Sequence, residues 1–147
     1  MAARLLAAPP SDLYHRLVNV QEAARRWADV WTRAWPARDA EAIVDLYAED
    51  ARYSAYPFRD PDEGPDGVRS YLTKTFGEEQ DIECWFGEPV AGGDRSAVEW
   101  WASWTEGGEE ITLAGTTLLR FDQDGLVVDH RDYWNQFEGR RPPYGRW

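Results

Sequence analysis

The chain has 147 residues, and its 27 acidic against 16 basic side chains give a formal charge of -11. That balance repels a phosphate backbone, and no run of Lys or Arg overrides it locally, so nucleic acid is excluded as an expected partner. A hydrophobic fraction of 43%, with nine tryptophans, seven tyrosines and five phenylalanines, is unlike a disordered chain and points to one domain with a heavy aromatic core or cavity.

Cys84 is the only cysteine, so no intramolecular disulfide forms, and a reducing compartment fits. It reads as a buried strand residue rather than a nucleophile. Metal-ligand spacing is absent, with His15 and His130 far apart, and no metal or cofactor is expected. The start, "MAARLLAAPP", is cut off by Pro9 and Pro10 and is too short for a secretory signal. No apolar run approaches the roughly 20 residues of a spanning helix, and the expected setting is the cytoplasm, away from membranes.

After a lead-in over residues 1–10, Ser11 or Asp12 can cap a helix in which Leu13, Leu17, Val20, Ala24, Trp27, Ala28, Trp31, Ala34 and Trp35 recur at spacings of three and four. Pro36 ends it near Trp35. Asp39 caps a second helix with Ile43, Leu46 and Tyr47 on one face. "DARYSAYPF" is a short alternating strand that runs into a proline-rich loop. Asp66 caps a third helix whose apolar face is Val68, Tyr71, Leu72 and Phe76.

From Ile82 onward "IECWFGEPV", "RSAVEWWASW", "EITLAGTTLLRF" and "LVVDHRDYWNQF" are strands separated by glycine turns, an antiparallel meander. Helices followed by a twisted antiparallel sheet give an α+β fold: a cone-shaped barrel with the N-terminal helices packed on the concave face of a curved, mainly antiparallel sheet. The domain spans residues 21–137, residues 1–20 form an N-terminal extension with a helix start, and residues 138–147 form an irregular, locally basic tail.

Strand alternation splits the tryptophan cluster: Glu99, Trp101 and Ser103 point one way, Trp100, Ala102 and Trp104 the other. Each buried tryptophan hides roughly 200 Å², worth up to about 5 kcal/mol, so neither face is left in water. The helices cover one face. The other is explained by a homodimer built through the outer sheet face, or by the tail with Tyr144 and Trp147 folding back over Trp100 and Trp104.

This order of elements resembles the nuclear transport factor 2-like superfamily in its SnoaL-like branch, through "AARRWADVWTRAWPARDAEAIVDLYAEDARYSAYPF", "GVRSYL", "GDRSAVEWWASW" and "DGLVVDHRDYWNQ". The superfamily includes isomerases, cyclases, epoxide hydrolases, dehydratases and non-catalytic binders. Resemblance to the limonene epoxide hydrolases assigns Tyr53 as a pocket tyrosine and Asp132 as a water-activating acid. Their asparagine and Arg-x-Asp pair are replaced by Ala55, Glu99 and Trp101, so that constellation is incomplete. SnoaL-type polyketide cyclases again imply Asp132 as a general base. The helix tyrosine of the ketosteroid isomerases is replaced by tryptophans.

In the last strand Val128, His130, Asp132 and Trp134 share a face. In the family's register that face lines the pocket, with Glu99, Trp101 and Tyr53 in the same wall and Trp27 and Trp31 above. Two carboxylates about 6 Å apart repel by about 3 kcal/mol, roughly two pKa units, so Asp132 and Glu99 would hold different protonation states. The expected catalytic residues are therefore Asp132, His130 and Glu99; the expected substrate contacts are Tyr53, Trp101, Trp27, Trp31 and Trp134. They suit proton abstraction beside a carbonyl, or water activation, on a small apolar or aromatic molecule, with His130 or Tyr53 donating to the oxygen that gains charge. A ligand-binding module without turnover and a dimeric adaptor remain the other classes.

Overall fold

The computed structural model describes residues 11–145 and Trp147, with side-chain surroundings from Val20 onward. The expected lead-in over residues 1–10 and the capping side chains of Ser11 and Asp12 lie outside what is described. Helix α1 is Ser11–Ala37, and its stripe of Val20, Ala24, Trp27, Trp31, Ala34 and Trp35 is buried. It runs past Trp35 and carries Pro36 in its last turn, because burial of Trp35 offsets the local cost of the proline. Arg38 ends it with a φ of 55°, while the amides of Arg38 and Asp39 donate back to Trp35 and Ala34, a helix stop of the left-handed type.

Helix α2 is Ala40–Val44, and the Asp39 carboxylate accepts from the Ala42 amide, the expected cap. Tyr47, expected on that helix, instead opens strand β1, Tyr47–Ser54. A two-residue strand β2, Asp62–Glu63, leads into α3, Gly64–Glu78. The N-cap of α3 is Glu63 rather than Asp66. Pro65 stands in its first turn, where a missing N–H costs nothing, and Asp66 sits there too and pairs with Arg69.

The expected strand "IECWFGEPV" is interrupted over residues 87–89 and divides into β3, Gln80–Phe86, and β4, Val90–Gly92, followed by β5, Arg95–Glu106, β6, Glu109–Phe121, and β7, Val127–Glu138. The sheet order is β2-β1-β7-β6-β5-β3, with β4 beside β5. All pairings are antiparallel except β1 with β7. The α+β cone is therefore as expected: helices over the concave face of a curved, unclosed, mainly antiparallel sheet.

Cross-strand register decides the faces. Val98 lies opposite Thr117 and Thr117 opposite Asp132, whereas Glu99 lies opposite Thr116 and Thr116 opposite Tyr133. Asp132 and Glu99 thus belong to different faces. Trp100 and Trp104 are buried under α1, where Trp35 meets each at 5.9 Å between ring centroids. Glu99 is exposed on the convex side. Trp101 is on that side too, paired with Trp85 across β3, and its indole N–H donates to the Arg141 carbonyl at 2.7 Å. The tail does fold back, but over Trp101 rather than over Trp100 and Trp104.

Two positions under this sheet carry predictions. A Cβ added at Gly115 would stand 2.4 Å from the Tyr133 carbonyl oxygen and 2.7 Å from the Trp134 Cβ, so β6 and β7 must separate to admit one. Gly115→Ala should cost about 1–3 kcal/mol, measured by urea unfolding. Glu79 is only 1% exposed, accepts from the Trp35 indole at 2.8 Å, and thereby pins α1 to the junction of α3 and β3. Burial raises its carboxyl from 4.5 to about 7, so the folded state holds the proton more tightly than the unfolded chain. That contribution is complete below the unfolded value and is lost as pH rises through about 7, amounting to about 3 kcal/mol. Wild type should lose stability relative to Glu79→Gln between about pH 5 and about pH 8; parallel curves would contradict the assignment.

Candidate functional site

Between α1, α3 and the concave sheet lies a cavity of about 510 Å³, within the range of small-molecule sites. Its walls include Trp27, Trp31, Trp35, Tyr53, Tyr71, Phe86, Trp100 and Trp104, and its polar groups include Thr117, His130, Asp132 and Glu79. Arg59, Asp60, Lys74 and Glu78 line its solvent-exposed part. Trp134 closes one side, donating to the Ala55 carbonyl at 3.1 Å and meeting Tyr56 edge-on.

Asp132 is held by a buried hydrogen-bond chain that crosses the fold. The Trp27 indole donates to the Tyr47 hydroxyl at 3.1 Å, and that hydroxyl meets His130 Nδ1 at 2.8 Å. His130 Nε2 meets Asp132 Oδ1 at 2.8 Å, and Thr117 donates to the same oxygen at 2.6 Å while accepting from the Trp100 indole at 2.8 Å. An indole N–H only donates, so Tyr47 and Thr117 accept at the two ends and each keeps its own hydroxyl proton to give inward. Burial pushes the Tyr47 phenol well above its ordinary value, so it keeps its proton and donates it to Nδ1. His130 then carries its own proton on Nε2 and donates to Asp132.

Oδ1 therefore accepts two hydrogen bonds, while Oδ2 takes none among the described residues. The Asp132 side chain is 12% exposed and borders the cavity. His130 is 1% exposed, stacked by Tyr53 at 3.9 Å and flanked by Trp27 at 5.8 Å. Both ring nitrogens of His130 are engaged, so it positions Asp132 and has no N–H left for a ligand. The Tyr53 hydroxyl has no protein partner among the described residues, and burial, with Asp132 adding to it, raises its pKa well above the ordinary phenol value. It is a neutral donor at the cavity wall. Tyr71 lies beside it at 5.0 Å and is raised likewise, chiefly by burial.

Of the residues expected from the sequence, Asp132, His130, Tyr53, Trp27, Trp31 and Trp134 line this cavity. Glu99 and Trp101 do not, because register puts them on the convex face, and the expected pairing of Glu99 with Asp132 is overturned. The second buried carboxyl is Glu79, which sequence reasoning missed along with Tyr47, Thr117 and Trp100. Cys84 is partly buried, and burial pushes its thiol up to about 12, which disfavours the thiolate that nucleophilic attack needs. Among the described residues no group of three or more His, Cys, Asp or Glu side chains could hold a metal ion, and no helix is long and apolar enough to cross a membrane.

Known proteins share this architecture. The chain is 24% identical over 108 residues to cyclase aurE of Calcarisporium arbuscula, covering 70% of this chain and 79% of that protein. Its fold is similar to that of SalBIII, an epoxide hydrolase/cyclase-like enzyme of pyran ring formation in the polyether salinomycin, with a TM-score of 0.68, 21% identity, and 78% and 92% of the two chains covered. It is also similar to a hypothetical protein with a ketosteroid isomerase-like fold from Catenulispora acidiphila DSM 44928 in complex with trimethylamine, with a TM-score of 0.64, 19% identity, and 71% and 82% covered. The SnoaL-like domain model matches residues 24–130, and the chain belongs to that family.

Proposed function

We propose that the cavity binds a small, largely apolar molecule bearing a carbonyl or hydroxyl group, and that Asp132 acts on it as a general base. The observation that carries this reading is the unequal use of the two Asp132 oxygens. Oδ1 is fixed by His130 and Thr117, and Oδ2, beside the cavity, has no protein donor among the described residues. A base needs an oriented carboxylate with one open lone pair where the substrate proton will lie. Tyr53 supplies the complementary group, a phenol that keeps its proton and can donate to the oxygen on which charge develops. His130 and Thr117 are positioning residues, with Tyr47, Trp27 and Trp100 holding them in turn.

The chemistry that follows is removal of a proton beside a carbonyl or from a hydroxyl. This step is common to enolisation, ring closure and water activation. The likeness to a cyclase and to an epoxide hydrolase/cyclase-like enzyme supports that range. Solvent exclusion by the indole walls strengthens each electrostatic contact inside. The alternative, a binding module in which Asp132 only orients the ligand, predicts binding without proton transfer.

A rigid bicyclic ketone separates the two. In D2O, wild type should accelerate deuterium exchange at the α-carbons of trans-2-decalone, followed by NMR. Asp132→Asn should lower that rate by about 100-fold or more with little change in affinity, and Tyr53→Phe by roughly 100-fold. Binding of the ketone with equal exchange in wild type and Asp132→Asn would leave only the binding-module reading.

We also propose a homodimer, on grounds other than Trp100 and Trp104, which are inside. Leu118, Tyr133 and Phe137 remain 44%, 48% and 43% exposed on the convex face, an apolar row that a second copy would cover. Light scattering at micromolar concentration should give twice the chain mass; the mass of one chain would remove this proposal.

A further inference from the structure

Glu79 is the one buried carboxyl, among the described residues, that the general-base reading leaves unused. It follows the last turn of α3, accepts from the Trp35 indole through Oε1 at 2.8 Å, and has no hydrogen bond at Oε2 among the described residues. The nearby cation does not neutralise it, because Arg38 donates to the Glu79 backbone carbonyl at 3.2 Å instead. Anchoring Trp35 needs one acceptor oxygen, which a glutamine supplies equally well. The second oxygen is not one of the sealed polar atoms left without a partner, which among the described residues are Trp31 Nε1, Ser96 Oγ and Trp104 Nε1; it opens to the cavity that Glu79 lines, where an oxygen of a bound molecule can reach it.

The position of that oxygen indicates where the partner comes from. Glu79 lines the same cavity as Asp132. The two are linked along one wall, Asp132 to Thr117 to Trp100 by hydrogen bonds, Trp100 to Trp35 at 5.9 Å between rings, and Trp35 to Glu79 by a hydrogen bond. One carboxyl thus stands at each end of the Trp100–Trp35 pair.

We infer that Glu79 is a ligand-binding residue: as a neutral carboxyl it donates from Oε2 to a second oxygen of the bound molecule, at the end of the cavity away from Asp132. The inference rests on the proposed small-molecule reading and deepens it, since the ligand class becomes an apolar ring system with oxygen functions at both ends. Burial keeps the Glu79 proton in place up to about 7, with Glu106 and Glu78 adding to the shift and the Trp35 indole and Arg38 opposing it. The other titratable groups lining the cavity are Tyr53 and Tyr71, phenols held neutral by burial, then Tyr56, His130 and Asp132, and toward solvent Arg59, Asp60, Asp62, Lys74, Glu78 and Glu106. An acid at one end and a base at the other is an arrangement in which environment separates two carboxyls into two roles.

The test compares trans-2-decalone with trans-decalin-2,6-dione, which differs only by a second, acceptor-only oxygen. Affinities are measured by calorimetry at about pH 6 and about pH 8.5, on either side of the Glu79 transition. Wild type should bind the dione about 5-fold tighter than the monoketone at the lower pH and lose that preference at the higher pH, where a carboxylate faces a carbonyl oxygen. Glu79→Gln, whose amide donates at any pH, should keep the preference at both. Equal affinity for the two ketones in wild type at the lower pH, or a wild-type preference that survives at the higher pH, would overturn the inference. So would a pocket that takes trimethylamine at this end and holds it more tightly as Glu79 ionises. If the monoketone binds and exchanges deuterium through Asp132 while the dione gains nothing, only the role of Glu79 falls; if neither ketone binds, both readings fall.

Discussion

The site depends on a single directional chain of hydrogen bonds, from Trp27 through Tyr47, His130 and Asp132 to Thr117 and Trp100. Its two ends are indole N–H groups, which can only donate, so the Tyr47 and Thr117 hydroxyls keep their protons to give inward, toward His130 and one Asp132 oxygen. A buried polar group without a partner costs about 1–3 kcal/mol, so each member holds its neighbour in one orientation. The chain passes through α1, β1, β7, β6 and β5. The interaction that aims Asp132 is thus also one that fastens the helix to the sheet.

Tryptophan serves three purposes here. Trp27, Trp31 and Trp35 supply apolar area to the core, their faces wall the cavity, and the N–H groups of Trp27 and Trp35 engage Tyr47 and Glu79. The indoles of Trp31 and Trp104 have no partner among the described residues, which fits rings placed for their surface more than for their polar edge. Among the described residues the interior contains two carboxyls, while the cations lining the cavity, Arg59 and Lys74, sit in its exposed part. The surroundings of the two differ: Asp132 has two donors, whereas Glu79 has one donor and a burial that raises its carboxyl to about 7.

Strand parity within β7 was legible: His130, Asp132 and Trp134 share the inward face because side chains alternate, and the tryptophan spacing of α1 marked its buried stripe. The relation between strands was not legible. Both parities of β5 carry tryptophan, so hydrophobic pattern could not choose between Trp100 and Trp101. The choice is made through β6, whose unbroken register carries Val98 to Thr117 and on to Asp132, and Glu99 to Thr116 and on to Tyr133. Directly opposed residues share a face, so Trp100 goes in with Asp132, and Glu99 and Trp101 lie outside. Thr117 could have been found only from that register. Glu79 sits among "GEEQD", which reads as a solvated helix end, and only the packing of Trp35 against β5 makes it a buried acid. Tyr47 reads as helical because the short α2 and the start of β1 run together without a proline or glycine between them.

The proton position on His130 tests this account most directly, because the direction of the whole chain passes through that ring. Nitrogen-15 NMR of the imidazole at neutral pH can be assigned against a His15 variant, His15 and His130 being the only histidines. The account predicts a protonated Nε2 and a bare Nδ1 that accepts from Tyr47. A protonated Nδ1 with a bare Nε2 would require Asp132 to be the donor to the ring, leaving no carboxylate base in the cavity, and would contradict it.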